Sequence, residues 1–94
     1  MFAVIGNSKI DPDRIDEVES ILKERLVPKF KAMGGFVSGT WTVSLDDARG
    51  TGMSLWETEA DARAAIDVIL GMPTGPEAPF VFGDFDVVRV VQQA

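Results

Sequence analysis

The chain has 94 residues, of which 46% are hydrophobic, and a formal net charge of −6 at pH 7. This length predicts a single domain over residues 1–94, and the charge disfavours nucleic acid and anionic membrane surfaces as partners. Cysteine, histidine and tyrosine are all missing, which excludes thiolate nucleophiles, imidazole-bound metals and Ser-His-Asp chemistry. We expect no metal, no cofactor and no membrane span, and the lack of a leader-like segment after Met1 favours the cytoplasm.

The first third of the chain predicts a strand and the start of a helix. Residues Phe2–Asn7 are apolar and partly β-branched, as in a buried strand. Asp11 and Pro12 are typical of a helix start, because Asp11 can cap free N–H groups and Pro12 loses no hydrogen bond at the first helical position. Apolar residues then recur at spacings of three and four, which predicts an amphipathic helix; they are Ile15, Val18, Leu22, Leu26, Phe30 and Met33.

Pro28 lies inside this predicted helix. Proline has no N–H to donate to the carbonyl four residues back, and its ring collides with that carbonyl, so we expect a kink near Glu24–Val27. Gly34 and Gly35 predict the end of the helix, because glycine readily adopts the left-handed conformation that follows a last helical turn.

The segment Phe36–Glu57 predicts a β-hairpin that carries both tryptophans of the chain. Its first half alternates apolar or small residues with Ser and Thr, and an acidic, glycine-containing turn separates the halves. If Met53 and Leu55 share the face of Trp41, then Trp56 falls on the opposite face. Two tryptophans on opposite faces would indicate a sheet that is covered on both sides.

A second helix and a last strand follow. Thr58 is expected to cap the helix, and Gly71 to end it. The predicted buried stripe comprises Ala62, Ala65, Ile66, Ile69 and Leu70. Met72–Pro79 predicts a Pro- and Gly-rich loop that is long enough to be mobile or to border a pocket. Phe80–Val91 predicts a long strand, bent at Gly83.

The resulting order, β–α–β–β–α–β, predicts an α+β fold of the ferredoxin-like type. In that fold a four-stranded antiparallel sheet has two helices on one face. The other face needs a cover, and the high hydrophobic content predicts that a second copy provides it. We therefore expect a homodimer that forms through the sheet faces.

Three residues are candidates for ligand binding, namely Asn7, Trp41 and Trp56. Each tryptophan either belongs to the core or lines a pocket for a planar ligand, with neighbouring Ser and Thr hydroxyls to orient that ligand. Asn7 is either a turn former or a polar contact in the pocket. The acidic residues near Asp11 are typical of a helix start, since they lack the glycine and the distal glutamate of a calcium-binding loop.

Several segments carry a resemblance to a known family. They are a first strand that ends in Asn7, the break at Pro28 followed by Met33–Phe36, the SGTW run Ser38–Trp41, and the SLWETEADARAA run Ser54–Ala65. Together they resemble the antibiotic biosynthesis monooxygenase-like group of the dimeric α+β barrel proteins over essentially the whole chain. The resemblance implies a homodimer with facing sheets and a small apolar pocket in each subunit, between sheet and helices.

The family also implies activities. Some members oxidise polyphenolic substrates without metal or flavin, and related ones degrade haem with an Asn, a Trp on the second helix and a His. Asn7 matches the first of these, but Ala65 stands at about the position of that Trp and the chain has no His. Haem degradation is therefore not expected.

Two functions that involve a small molecule remain open, beside a purely structural or regulatory role with a partner protein. The first is a dimeric protein that binds a small apolar or aromatic ligand without assignable catalysis. The alternative is a cofactor-independent monooxygenase acting on an aromatic or polyketide-like substrate, in which Trp41 and Trp56 would shape the pocket and Asn7 would polarise the substrate.

Overall fold

A computed structural model of the chain describes residues 1–72 and 77–94. The elements in chain order are β1 (Phe2–Ile10), α1 (Ile15–Ile21), a π-helical segment (Leu22–Leu26), α2 (Val27–Ala32), β2 (Phe36–Val43), β3 (Arg49–Trp56), α3 (Glu59–Leu70) and β4 (Phe80–Arg89). The strands form an antiparallel sheet in the order β2-β3-β1-β4. With α1, the π segment and α2 acting as one irregular first helix, this is the predicted ferredoxin-like arrangement.

The segment around Asp11 is a turn rather than the start of the first helix. The Asp13 N–H donates to Asp11 Oδ1 at 3.0 Å, and the Arg14 N–H donates to the Asp11 carbonyl at 3.0 Å. The predicted cap at Asp11 was therefore wrong, because its side chain closes a local turn instead. Strand β1 also runs on to Ile10, past the predicted end at Asn7, because β3 and β4 pair with it along its length.

The first helix is irregular close to where Pro28 predicted a kink. Leu22–Leu26 forms a π turn, in which the Val27 N–H donates to the carbonyl of Leu22, five residues back. A regular α-helix would need a hydrogen bond from residue 28 to the Glu24 carbonyl, and Pro28 has no N–H to donate. The helix ends at Ala32, just before the glycine pair that predicted its end.

The hairpin has a different register from the predicted one. Trp41 pairs with Gly52, and the Ser44 N–H donates to the Arg49 carbonyl at 2.9 Å, which leaves a loop of four residues, 45–48. Trp41 and Trp56 consequently lie on the same face, so the prediction of opposite faces was wrong. A loop with one residue more or less moves every side chain of β3 to the other face.

Both tryptophans point toward the helices. We call this side of the sheet the helix face, and the side that carries Ile5, Met53 and Leu55 the open face. The core lies between the helix face and the helices, and its largest fully buried side chains are Phe30 and Trp56. Their rings meet edge to face, with centroids 5.1 Å apart.

The second half of the chain follows the prediction more closely. Thr58 caps α3, because its Oγ1 accepts from the Asp61 N–H at 3.1 Å. Most of the predicted stripe faces the sheet, but Leu70 is 56% exposed and does not belong to it. The pairing of β4 with β1 shifts register between Phe82 and Phe85, in the segment that contains Gly83, where a bend was predicted.

Four residues of the predicted loop Met72–Pro79, for which mobility was expected, lie outside the described residues; they are numbers 73–76. Among the helices of the described ranges, none is both long and apolar enough to cross a bilayer.

Candidate functional site

A cavity of about 320 Å³ lies between the helix face of the sheet and the first helix. Its roof is apolar and comes from α1 and the π segment. The roof residues are Ile15, Val18, Leu22 and Leu26. Strands from the whole width of the sheet supply the floor, so the cavity depends on the tertiary arrangement of the chain rather than on any single motif.

The centre of the floor has no side chains of its own. One row of residues crosses the sheet in register, from Trp41 on β2 through Gly52 on β3 and Gly6 on β1 to Phe85 on β4. Glycine inside a strand often marks the close approach of another group. Here the two central glycines leave a gap that the two outer aromatic rings partly fill.

The aromatic rings fold inward over these glycines. A Cβ atom on Gly52 would lie 2.7 Å from Trp41 Cδ1, and one on Gly6 would lie 2.5 Å from Phe85 Cε1. The six-membered ring of Trp41 extends back over Gly39, where a Cβ would lie 2.5 Å from Cη2. Both rings therefore lie against the backbone of the central strands, and both line the cavity.

Few polar groups border the cavity. The Ser8 hydroxyl leans over Gly50, since its Oγ lies 2.5 Å from the position of a Cβ on that glycine. The indole Nε1 of Trp41 lies over Gly52, 2.9 Å from the equivalent point. Within residues 1–72 and 77–94, no hydrogen bond engages Ser8 Oγ or Trp41 Nε1. Glu19 is exposed, and among the described lining residues it is the only charged one.

Comparisons with known proteins agree with this architecture. No protein-family model and no curated protein matches the sequence. Among solved structures, the heme-degrader MhuD from Mycobacterium tuberculosis, determined with two hemes in its active site, is similar at a TM-score of 0.75 and 15% identity, over 100% of this chain and 99% of that one. SnoaB, a cofactor-independent oxygenase from Streptomyces nogalater, is similar at a TM-score of 0.67 and 15% identity, over 98% and 94% of the two chains.

A dimeric ferredoxin-like protein from an uncultured marine organism is also similar, with a TM-score of 0.69 and 13% identity over 99% of this chain and 96% of that one. The chain shares the ferredoxin-like fold of these proteins. At these identities the likeness concerns the fold alone, so the residues of the site must be judged on their own geometry.

The structure does not bring the three predicted site residues together. Trp41 lines the cavity, whereas Trp56 is fully buried beside it in the core, where its Nε1 donates to Ser54 Oγ at 2.9 Å. Asn7 borders the cavity through its strand, but alternation along β1 directs its side chain to the open face. There Asn7 Oδ1 accepts from Thr51 Oγ1 at 3.3 Å. Because Asn7 lies within β1, its interpretation as a turn former was wrong.

Sequence reasoning missed five residues of this site, namely Gly6, Ser8, Glu19, Gly52 and Phe85. A signal was available for Gly52. Gly50 and Gly52 lie on the same face of β3, and glycine is uncommon inside strands, which usually carry bulky residues. No comparable signal marks Ser8 or Phe85, because their role depends on the pairing between β1 and its two neighbours.

The pKa shifts lie away from the cavity lining. Arg14 donates two hydrogen bonds to Glu17, at 2.7 and 2.6 Å, and this contact holds the pKa of Glu17 below its ordinary value. In the hairpin turn, the Ser44 hydroxyl donates to Asp47 and lowers the pKa of that carboxyl. No group of metal-ligating side chains occurs in the part of the chain that the structure describes.

Proposed function

We propose that this chain is a homodimeric protein that binds a small apolar or aromatic ligand in the cavity of each subunit, with Trp41 as the principal contact. The observation that carries the proposal is the aromatic floor, in which the Trp41 and Phe85 rings lie over glycines of the central strands and line about 320 Å³ of space. Small-molecule sites span about 300–1,000 Å³ and are mostly apolar, so the cavity suits a ligand of modest size.

The homodimer is proposed to form through the open faces of the two sheets. In a single chain this face exposes apolar side chains, with Met53 46% and Val81 67% accessible. A paired sheet would cover them, as apolar patches on proteins are commonly covered by partners. The similar protein from an uncultured marine organism is described as dimeric. On this view the side chain of Asn7 contributes to the dimer contact rather than to ligand binding.

Cofactor-independent oxygenation is the second candidate function. The observation in its favour is the likeness in fold to SnoaB, which is described as a cofactor-independent oxygenase. Against it, Glu19 is the only titratable side chain among the described lining residues, and the chain contains no histidine or tyrosine. A proton-transfer catalyst must come within hydrogen-bond reach of the substrate, so binding without catalysis is the better-supported proposal.

A cavity-filling pair of variants tests ligand binding. Val18→Phe puts a ring into the roof of the cavity, whereas Val91→Phe makes the same change at a position beyond β4 that is 90% exposed. Binding of 2-acetonaphthone is measured by calorimetry and by quenching of tryptophan fluorescence. We expect wild type and Val91→Phe to bind it and Val18→Phe to lose at least tenfold in affinity. Equal binding by both variants would place the ligand elsewhere and refute the proposal.

Oxygen consumption separates the two candidate functions. The protein is incubated in air with anthrone-type and quinol substrates while dissolved oxygen is recorded. Uptake that saturates with substrate, persists in Val91→Phe and disappears in Val18→Phe would support the monooxygenase. Uptake no faster than in buffer, together with cavity-dependent binding, would support the binding protein.

A further inference from the structure

We infer that the cavity selects its ligand by two chemical features, a hydrogen-bond acceptor on a planar ring system and the absence of a carboxylate. This inference rests on the proposed function, because it describes how the same cavity discriminates among ligands. Three groups carry it: the Ser8 hydroxyl, the indole N–H of Trp41 and the carboxylate of Glu19.

The shape of the cavity selects for a flat ligand. Its floor consists of the Trp41 and Phe85 rings lying against the glycines of the central strands, and aromatic faces pair best with other rings in offset-stacked or edge-to-face geometry. An engineered apolar cavity of about 150 Å³ holds benzene. The volume here is about 320 Å³, which leaves room for a fused ring system with a short substituent.

Two polar groups of the floor, the Ser8 hydroxyl and the Trp41 indole N–H, lie on the same face of the sheet. Ser8 Oγ lies over Gly50 and Trp41 Nε1 over Gly52, on the same face of β3 and two residues apart. Two residues along a strand correspond to roughly 7 Å. The indole N–H can only donate, and the hydroxyl can donate as well as accept, so a carbonyl or ether oxygen on the ligand can accept a hydrogen bond from one of these two donors. A purely hydrocarbon ligand would bury them without partners, which is unfavourable.

Charge selection follows from what the lining lacks. Glu19 stands at the rim on α1, exposed to solvent, and no lysine or arginine is among the described lining residues. A ligand carboxylate would therefore lose hydration and gain no cationic partner. A protonated amine that extends from the ring toward the rim would instead lie near the Glu19 carboxylate.

Four probes with one naphthalene core test these features on the full-length protein. They are 2-acetonaphthone, the similarly shaped 2-isopropenylnaphthalene without an acceptor, 2-naphthoate, and protonated 2-naphthylmethylamine. For the wild type, we expect the ketone to bind about fivefold more tightly than the alkene, as one net hydrogen bond allows. We expect the ammonium probe to bind more tightly than 2-naphthoate because of Glu19, and 2-naphthoate to bind about tenfold more weakly than the ketone.

Matched variants assign the effects to residues. Ser8→Ala should reduce the ketone-to-alkene affinity ratio about threefold or more, as loss of one neutral hydrogen bond predicts, whereas Ser20→Ala, an exposed position on α1, should leave it unchanged. Trp41→Phe should reduce the ratio as well. Glu19→Gln should lower the ammonium-to-naphthoate ratio about fivefold, the size expected for a solvated charge, and Asp16→Asn on the same helix should not.

The outcomes distinguish the inference from the function on which it rests. Binding of all four probes with one affinity, or ratios that Ser8→Ala and Glu19→Gln leave unchanged, would overturn the selection rule while ligand binding in the cavity stands. Binding of none of the four probes would overturn the proposed function and the inference together.

Discussion

Single glycines shape the candidate site. Gly52 and Gly6 hold open the places into which the Trp41 and Phe85 rings fold, and a methyl group at either position would collide with a ring. Gly52 and Gly6 are needed because a side chain would not fit there, not because of their backbone angles. Among the described glycines, only Gly35 has a positive φ. A small side chain added at Gly52 or Gly6 should therefore displace the Trp41 or Phe85 ring and change the shape of the cavity.

The first prediction concerns this use of space. Gly52→Ala should force the Trp41 indole off the sheet and lower the free energy of unfolding by about 1–3 kcal/mol, the usual cost of overpacking. Gly34→Ala is the matched control, because a Cβ atom on Gly34 would have no neighbouring atom within 4 Å. Urea denaturation compares the two variants. If Gly52→Ala is as stable as Gly34→Ala, the packing of Trp41 against Gly52 is not tight.

The second prediction separates the two tryptophans. Trp56→Phe opens space in the closed core and leaves the buried Ser54 hydroxyl without its donor, so we expect a loss of about 2–4 kcal/mol in the free energy of unfolding. Trp41→Phe should cost less, because Trp41 is only partly buried and its Nε1 has no partner among the described residues. Equal losses in urea denaturation would contradict the different roles assigned to them.

At the scale of elements, the first helix shows how a packing requirement alters local geometry. Val18, Leu22, Leu26 and Phe30 follow one another at spacings of four. At 3.6 residues per turn, the twelve residues from Val18 to Phe30 leave these side chains about 120° apart around the axis. The wider π turn takes up part of this drift, and both Val18 and Phe30 end in the core.

The hairpin turn carries the third prediction, on pH. The Ser44 hydroxyl lowers the pKa of Asp47 below its ordinary value of 3.8, with a smaller contribution from the Arg49 N–H. A carboxyl whose pKa is lower in the folded state stabilises the fold above its unfolded pKa, and this contribution is lost as the pH falls through its folded pKa. Asp47→Asn should therefore have a lower Tm than wild type at pH 7, and the difference should shrink below about pH 4.

Asp46→Asn is the control for this turn, because Asp46 makes none of the described side-chain hydrogen bonds. Its Tm should follow that of wild type across the same pH range. A gap between Asp47→Asn and wild type that persists unchanged at pH 2 would show that the effect is not the ionisation of Asp47.

At the scale of the whole molecule, the open face of the sheet exposes apolar side chains that no part of the described chain covers. The fourth prediction is that the protein sediments at micromolar concentration with about twice the chain mass of 10.2 kDa. Met53→Lys puts a charge on the open face and should produce a monomer, because an unpaired charge is costly at a buried contact. Leu45→Lys, in the fully exposed hairpin loop, should remain dimeric.

Circular dichroism establishes that both of these variants are folded. A wild-type species near 10 kDa would refute the dimer. A dimeric Met53→Lys variant would indicate that two copies meet through another surface than the open face.

Much of the fold could be predicted from local signals. The Thr58 cap, the alanine-rich face of α3 and the irregularity next to Pro28 depend on residues close to one another in sequence, and their chemistry acts within a turn or two of helix. Asp11 is the instructive failure. Its carboxylate can accept a backbone N–H either at a helix start or within a turn, so the residue type does not distinguish the two. In the structure the Asp11 N–H also donates to the carbonyl of Pro79, which lies in a distant part of the chain.

The sequence by itself determined the order of the elements and hence the ferredoxin-like fold, because hydrophobic periodicity and helix caps are local properties. It could not determine which face Trp41 and Trp56 share, since both faces of the hairpin carry apolar residues and a four-residue loop decided the register. The cavity likewise exists only in the tertiary structure. Its floor is a row of four residues from four strands, and strand pairing, which brings distant residues together, is what aligns Trp41, Gly52, Gly6 and Phe85.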